Sequence, residues 1–319
     1  MQVLLAALWV LVAVGALAGI WGIGIERHLR VVRQEEQTLA VLPAGAKPIR
    51  VLHISDFHLA PWQKRKLAWI SRLAQQDVDL VIDTGDNLGH RNAIAPTLTA
   101  LKGLLQKPGA FVNGSNDYYA PQLRNPLRYL LAPSERGTNV RLNTKEFTDG
   151  LERGGWLNLN NSGGNLTVNG TQLGFVGVDD FHDGLADVTS IEHSKAALGG
   201  RAAEADSDAD FGADTSATRV LIGVSHAPYL TVIDAMNDAG VSVLFAGHTH
   251  GGQVCLPGFG ALVTNCDLPT RAAKGLSSWS RGGNQLWLNV CAGLGHSIYA
   301  PVRFACRPEV RIVTLVARD

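Results

Sequence analysis

No charged side chain occurs in the first 25 residues of this chain, and Glu26 is the first. The run from Met1 to Ile25 (MQVLLAALWVLVAVGALAGIWGIGI) is long enough to span a bilayer, for which roughly 20 apolar residues suffice. No lysine or arginine precedes it, so the basic leader of a cleaved secretion signal is missing, although Ala16-Leu17-Ala18 has the small-residue form of a cleavage site. An uncleaved anchor is the expectation. Net charge is missing too: 28 Lys and Arg balance 28 Asp and Glu. A neutral chain carries no global field for a polyanion, and no nucleic-acid partner is expected. Internal repeats are absent, which leaves one α/β domain after the anchor. Cysteine is scarce and late, with Cys255, Cys266, Cys291 and Cys306 all in the last quarter. The clustered set reads either as two disulfides on an oxidising face or as four buried thiols.

What is present sorts into three parts: an anchor over 1–25, a connector over 26–48, and an α/β domain over 49–319. Arg27, Arg30 and Arg33 follow the apolar run, so the positive-inside rule places the domain on the cytoplasmic face of a single-pass membrane protein. From residue 49 the pattern alternates. Strands are expected at 49–55, 79–85, 109–114, 219–225 and 241–247. Helices are expected at 62–76, 95–107 and 229–239. This order argues βαβ units with a largely parallel inner region. Asn169-Gly170 between two β-like runs predicts a hairpin. Strands are also expected at 285–293 and 309–317. Residues 199–218, rich in Ala, Asp and Gly, read as a mobile acidic loop.

The chemistry gathers where the strands end. The first delivers Asp56-Phe57-His58, the second Gly85-Asp86-Asn87, and the third Gly114-Ser115-Asn116-Asp117. The fourth delivers His226, and the fifth Gly247-His248-Thr249-His250. Singly, each is weak; a lone His226 is more often a hydrogen-bonded core residue. In succession they point to a site at the carboxyl ends of strands. Carboxylates and imidazoles without thiols suit two divalent first-row ions better than a structural zinc site.

The order D-x-H, G-D, G-S-N-D, lone His and G-H-T-H-G-G-Q resembles the calcineurin-like metallophosphoesterases over roughly residues 49–317. The GHTHGGQ form and the anchor look most like a bacterial membrane-associated branch related to lipid-linked nucleotide pyrophosphate hydrolases. The resemblance implies a four-layer α/β/β/α metallophosphoesterase sandwich, here preceded by one N-terminal transmembrane helix. It implies two divalent ions (Mn, Fe or Zn), one held by Asp56, His58 and His250. The second would be held by His226 and His248, with Asp86 bridging. It also implies a phosphoester substrate, hydrolysed at a phosphodiester or pyrophosphate bond by a hydroxide that the two ions generate. A substrate with a lipid part would account for the anchor.

One turn departs from the family, which has G-N-H followed by an acid. Aligned without a gap, Ser115 takes the ligand slot, Asn116 the histidine slot, and Asp117 matches the acid. Shifted by one, Asn116 is the ligand and Asp117 stands in the histidine position. An amide oxygen is the better ligand for a divalent ion, which favours Asn116 as the metal-binding residue. Either way the turn has no histidine to protonate a leaving group, help typically worth about 10²–10⁴-fold. His90, four residues after Asp86, is the candidate substitute. The altered turn also supports a second reading, a membrane-tethered protein that binds metal and phosphate without cleaving. Gly251-Gly252, Arg124, Arg128, Asp179, Asp180 and His296 could each meet phosphate or have purely structural roles.

Overall fold

Val, Ile and Leu alternate sides along the central strands, and the two sides feed different apolar layers. The computed structural model describes residues 1–121, 140–205, 220–296 and 299–318, with the side chains of 199–205 left aside. Strand β3 (Ile49–Ile54) sends Leu52 and Ile54 to one cluster and Ile49 and Val51 to another. A period of two on a strand buried on both faces produces this division.

The first sheet, among the described residues, has seven strands. They are β1 (Val31–Gln34), β2 (Leu39–Leu42), β3, β4 (Leu80–Asp83), β5 (Gly109–Phe111), β6 (Leu157–Asn158) and β15 (Glu309–Ala317). Strands β3 to β6 are parallel; β15 runs antiparallel to β3, and β1 and β2 follow one another along its other edge. The second sheet comprises β7 (Ser162–Val168), β8 (Thr171–Gly177), β9 (Val220–Ser225), β10 (Val243–Ala246), β13 (Gly275–Arg281) and β14 (Asn284–Val290), with β8, β9, β10 and β14 parallel. A small hairpin, β11 (Cys255–Leu256) and β12 (Gly260–Ala261), stands apart.

Helices α2 (Lys64–Ser71), α3 (Ile94–Leu101) and α5 (Thr144–Arg153) contribute Ile70, Leu101, Phe147 and Leu151 to a cluster shared with the first sheet. Val51, Ile82, Phe175, Ile222 and Phe245 form a second cluster drawn from both sheets. Helices α6 (Thr189–Ala205) and α7 (Leu230–Asp238) share the third with the second sheet, through Ile191, Val232, Ile233, Leu244 and Leu288.

The expected hairpin is there: Asn169 and Gly170 both have left-handed backbone, φ 52° and 83°, and join β7 to β8 in register. Of the two readings of the cysteines, the second holds: all four are free thiols, with Cys255, Cys291 and Cys306 buried and Cys266 partly so. Helix α6 extends to Ala205, so the loop expected over 199–218 begins in a helix; residues 206–219 lie outside the described residues. Arg124 and Arg128 also lie outside them.

The N-terminal segment corrects another expectation. Helix α1 (Gln2–Gly19) exposes nearly all of its side chains, and with the turns that continue it forms a 27-residue helix, Gln2–His28, long and apolar enough to cross a membrane. Residues 26–48 are not a mere connector. They supply β1 and β2, and buried Glu26 accepts the N–H groups of Ala305 and Cys306 at 3.0 and 2.7 Å. Short strands such as VVRQ and LAVL have little pattern of their own; the free edge of β15 makes them strands.

Candidate metal centre

Five residues that leave the central strands carry a β-carbon in left-handed backbone: Asp56 (φ 50°), His58 (43°), Asp86 (56°), His248 (68°) and His250 (50°). Each such residue stores about 1–3 kcal/mol and persists only where its surroundings over-determine it. Here the loops bond to each other. The Asp56 and His58 N–H groups donate to the Gly85 and Asp86 carbonyls at 2.8 and 2.9 Å, and the His248 N–H donates to Asp56 Oδ2 at 3.0 Å. That last bond joins the first sheet to the second. Gly247 allows this approach, because a β-carbon there would lie 1.9 Å from Ser55 Oγ and 2.6 Å from Asp56 Oδ2. Gly114 likewise leaves room for Asp86 Oδ1, which would be 2.3 Å from an added β-carbon.

The acceptor atoms converge. His58 Nε2 and His250 Nε2 face each other at 3.1 Å, with Asp86 Oδ2 3.5 Å from the first and Asp56 Oδ1 3.7 Å from the second. His226 Nε2 stands 3.6 Å from the same Asp86 Oδ2. Asp56, His58 and His250 form one group with ligand atoms within 4.8 Å of one another, and Asp56, Asp86 and His226 form another. Asp56 Oδ1 and His226 Nε2 are buried without a hydrogen-bond partner. Buried acceptors are seldom left so, because the loss of water goes unrepaid. His226 Nδ1 lies 2.7 Å from the Thr84 carbonyl, to which only a protonated Nδ1 can donate, which turns the Nε2 lone pair towards Asp86. This set of inward lone pairs fits divalent cations and leaves Asp86 common to both groups of ligands.

The electrostatics agree. Burial pushes the Asp56 carboxyl up to about 6. Burial would raise Asp86 too, but the charges of His226 and His58 and two bonds from Asn116 hold it at about 2. Burial holds His58 near 4 and His248 near 3 and lowers His250, so these imidazoles stay neutral with a lone pair to offer. His226 differs: burial lowers it, yet the charges of Asp86, Asp56 and Asp180 lift it to about 9.

The altered turn forms a single helical turn, α4 (Ser115–Tyr118). Asn116 donates its N–H to Asp86 Oδ1 at 2.8 Å and its side-chain amide contacts Asp86 Oδ2 at 2.7 Å, whereas Ser115 has no such bond. The structure thus brings Asn116 to the central carboxylate. Asp117 is occupied elsewhere. Wholly buried, it accepts the N–H groups of Asp86 (2.8 Å), Asn87 (2.9 Å), Leu88 (3.1 Å) and Gly114 (3.1 Å). Both oxygens are spent on main chain, which corrects the expectation that it serves catalysis directly. His90 is outside the cluster of ligand atoms; its ring packs edge-on to Trp62 and its Nδ1 accepts from Asn92 N. His248 is absent from both groups of converging ligand atoms, since its Nε2 lies 3.1 Å from the Asn265 carbonyl and only Nδ1 remains to face a metal. Gly251 and Gly252 pack against Ala292, Cys306 and Ala261, as a tight turn requires.

Sequence reasoning missed two side chains. The His182 ring lies 4.9 Å from that of His248, tilted by 46°, and the D-D-F-H string that carries it has no motif spacing. Arg303, fully buried, donates to the carbonyls of His250 (2.7 Å), Ala292 (2.7 Å) and Gly295 (2.5 Å), clasping the His250 turn to the 292–295 loop. An isolated arginine in a Pro-Val-Arg string gives no sequence signal for this role.

The model of the calcineurin-like phosphoesterase family matches residues 49–252, more than half of the chain, and spans every converging ligand. The chain belongs to the calcineurin-like phosphoesterases. Among these phosphoesterases, the uncharacterized metallophosphoesterase YkuE of Bacillus subtilis is 24% identical over 316 residues, 95% of this chain and 93% of its own length. Among solved structures, TT1561 of Thermus thermophilus matches 78% of this chain and 91% of its own at 13% identity, with a TM-score of 0.43. The NAD nucleotidase of Haemophilus influenzae matches 78% of this chain and 51% of its own at 14% identity, with a TM-score of 0.44.

Proposed function

We propose that this phosphoesterase hydrolyses phosphodiester or pyrophosphate bonds at a membrane surface, with two divalent ions in the site. The convergence of Asp56 Oδ1, Asp86 Oδ2 and the Nε2 atoms of His58, His226 and His250, two of these five atoms buried without a partner, carries the reading. In this reading Asp56, His58 and His250 hold one ion, His226, His248 and Asn116 the other, and Asp86 bridges. Bound ions would acidify a coordinated water and screen the phosphoryl oxygens. The chain's own residues orient the ligands: Thr84 fixes the His226 tautomer, the Asn265 carbonyl that of His248, and Arg303 the His250 turn. The apolar helix supports a single-pass membrane location, where a lipid-linked substrate would be concentrated, and Arg27, Arg30 and Arg33 after it support the cytoplasmic side.

A second reading, binding of metal and phosphate without turnover, has one observation in its favour: the 114–117 turn has no histidine and its aspartate is saturated by main-chain donors. Metal analysis and turnover on a panel of phosphodiester, pyrophosphate and lipid-linked substrates, with Mn²⁺ supplied, separate the two. Two ions per chain with hydrolysis, and loss of both in Asp86→Asn, is expected. Two ions with no turnover on any substrate would favour the binding protein, and an Asp86→Asn variant that keeps two ions removes the bridge.

A further inference from the structure

An open cleft of about 490 Å³ adjoins the candidate metal centre, lined by Arg27, Trp62, Gln63, His90, His296 and Tyr299 together with Pro301. Among the described residues, no acidic side chain lines it. It meets the metal loops on two sides. A β-carbon on Gly89, which precedes His90, would lie 2.5 Å from the His58 carbonyl oxygen, and Gly295, which precedes His296, donates its N–H to the Asp56 carbonyl at 2.7 Å.

The cations around the cleft lack counter-charges. Lys66, in the first turn of α2 and three residues past the cleft residue Gln63, is 3% exposed and does not itself line the cleft. Arg27 and Arg30 are half-buried, and their Nε atoms are buried without a hydrogen-bond partner. Among the described residues no carboxylate pairs with Arg27, Arg30 or Lys66. Burial, and then the charges of Arg30, Arg303 and Arg27, push the Lys66 ammonium well below its usual value. Taking such charges from water is costly unless an anion joins them. The chain as a whole is neutral, so this concentration is local.

The cleft also has a fixed level. Gly22 accepts the Arg303 N–H at 3.2 Å, and Glu26 accepts from Ala305 and Cys306, so the end of the apolar helix is docked beside the site. Arg27 therefore stands where the apolar segment ends, next to Trp62, which is 60% exposed and has the amphipathic character favoured at a membrane interface.

We propose that this cleft is a substrate-anchoring subsite in which Arg27, with the charges of Arg30 and Lys66 adding to its attraction, binds a phosphate group of a membrane lipid. Its role towards substrate rests on the function proposed above; its binding of the anion does not. An arginine fork with two further cations near it suits a phosphate of charge between minus one and minus two. The position at the end of the apolar helix favours the headgroup layer as its source.

The test titrates the full-length, metal-loaded protein in uncharged detergent with a non-hydrolysable phosphonate analogue of dioctanoyl phosphatidic acid, and separately with inorganic phosphate, by calorimetry. The metal centre is common to all variants, so differences report the cleft. Arg27→Gln/Arg30→Gln is expected to weaken the lipid analogue about tenfold or more, the loss typical of a hydrogen bond to a charged group. Lys66→Met should bind more weakly and yet unfold at a higher temperature, because an unpaired buried charge has been removed, while Lys66→Arg keeps binding. Unchanged affinity in the double variant overturns the subsite. Equal affinity for inorganic phosphate, lost equally in the variants, overturns the lipid source. Lipid binding without turnover on any phosphoester sinks the functional reading alone, and turnover without cleft-dependent binding sinks this one alone.

Discussion

The Asp117 carboxylate accepts four main-chain N–H groups and holds the Asp86–Leu88 segment against the 114–117 turn. Asp117→Asn keeps the size but replaces one acceptor oxygen by a donor. It should lower stability by about 1–3 kcal/mol, the usual effect of stranding buried donors, as read by urea unfolding. An unchanged midpoint combined with a new dependence on leaving-group pKa would return Asp117 to a catalytic role. The pH dependence of metal binding follows from two neighbours. Metal requires Asp56 ionised and His226 neutral, whereas in the free protein they titrate near 6 and near 9. Binding should therefore expel about two protons below pH 6 and about one between 6 and 9, so that apparent affinity climbs with pH. Calorimetry in buffers of different ionisation enthalpy counts those protons, and a pH-independent affinity would contradict the assignment. Without metal, the raised His226 stabilises the fold fully below its unfolded value of 6.5 and loses that contribution as pH rises through 9.

At the scale of elements, the hairpin between β7 and β8 was legible because Asn-Gly supplies left-handed backbone at both turn positions. Gly170 has φ 83° and open space around it, so Gly170→Ala meets no neighbour and suffers only backbone strain. A loss of about 1 kcal/mol in thermal unfolding is expected, with metal content unaffected. The strands β3, β4, β5, β9 and β10 were legible in the same way, from β-branched runs ending in Gly, Asp or His. The helices expected at 62–76 and 95–107 are shorter than their apolar pattern. Each gives way to a 3₁₀ turn, at Arg72–Gln75 and Leu104–Gln106, as the chain turns towards the next strand. Strands β1 and β2 were read as connector because nothing within them marks an edge. Their partner β15 is some 280 residues away.

For the molecule as a whole, the N-terminal segment is two things in succession. Removing residues 1–24 keeps Glu26 and its two main-chain donors, and that protein should stay folded. Removing 1–48 also strips Leu39, Val41 and Leu42, which are 0%, 4% and 0% exposed in the cluster drawn from both sheets. Their burial is worth about 5–9 kcal/mol together, at about 1.5–3 each, against a total stability of about 5–15. The shorter protein should aggregate or unfold, which light scattering and circular dichroism would register; a well-folded one would show that β1 and β2 are dispensable.

The order of the candidate ligands along the chain was legible in the sequence alone: Asp56, His58, Asp86, His226, His248 and His250 each follow a strand, and strand ends are a local property of residue type and spacing. So was the apolar helix, which needs only length and composition. Which atoms meet was decided by tertiary structure. Asn116 rather than Ser115 reaches Asp86, Asp117 turns to main chain, and His182 and Arg303 arrive from strings that carry no motif. Local pattern fixes where a side chain leaves its strand. The packing of two sheets, and the pairing of β15 with the chain's beginning, fix what stands opposite it, because those contacts are made between residues too far apart in sequence to share any local periodicity.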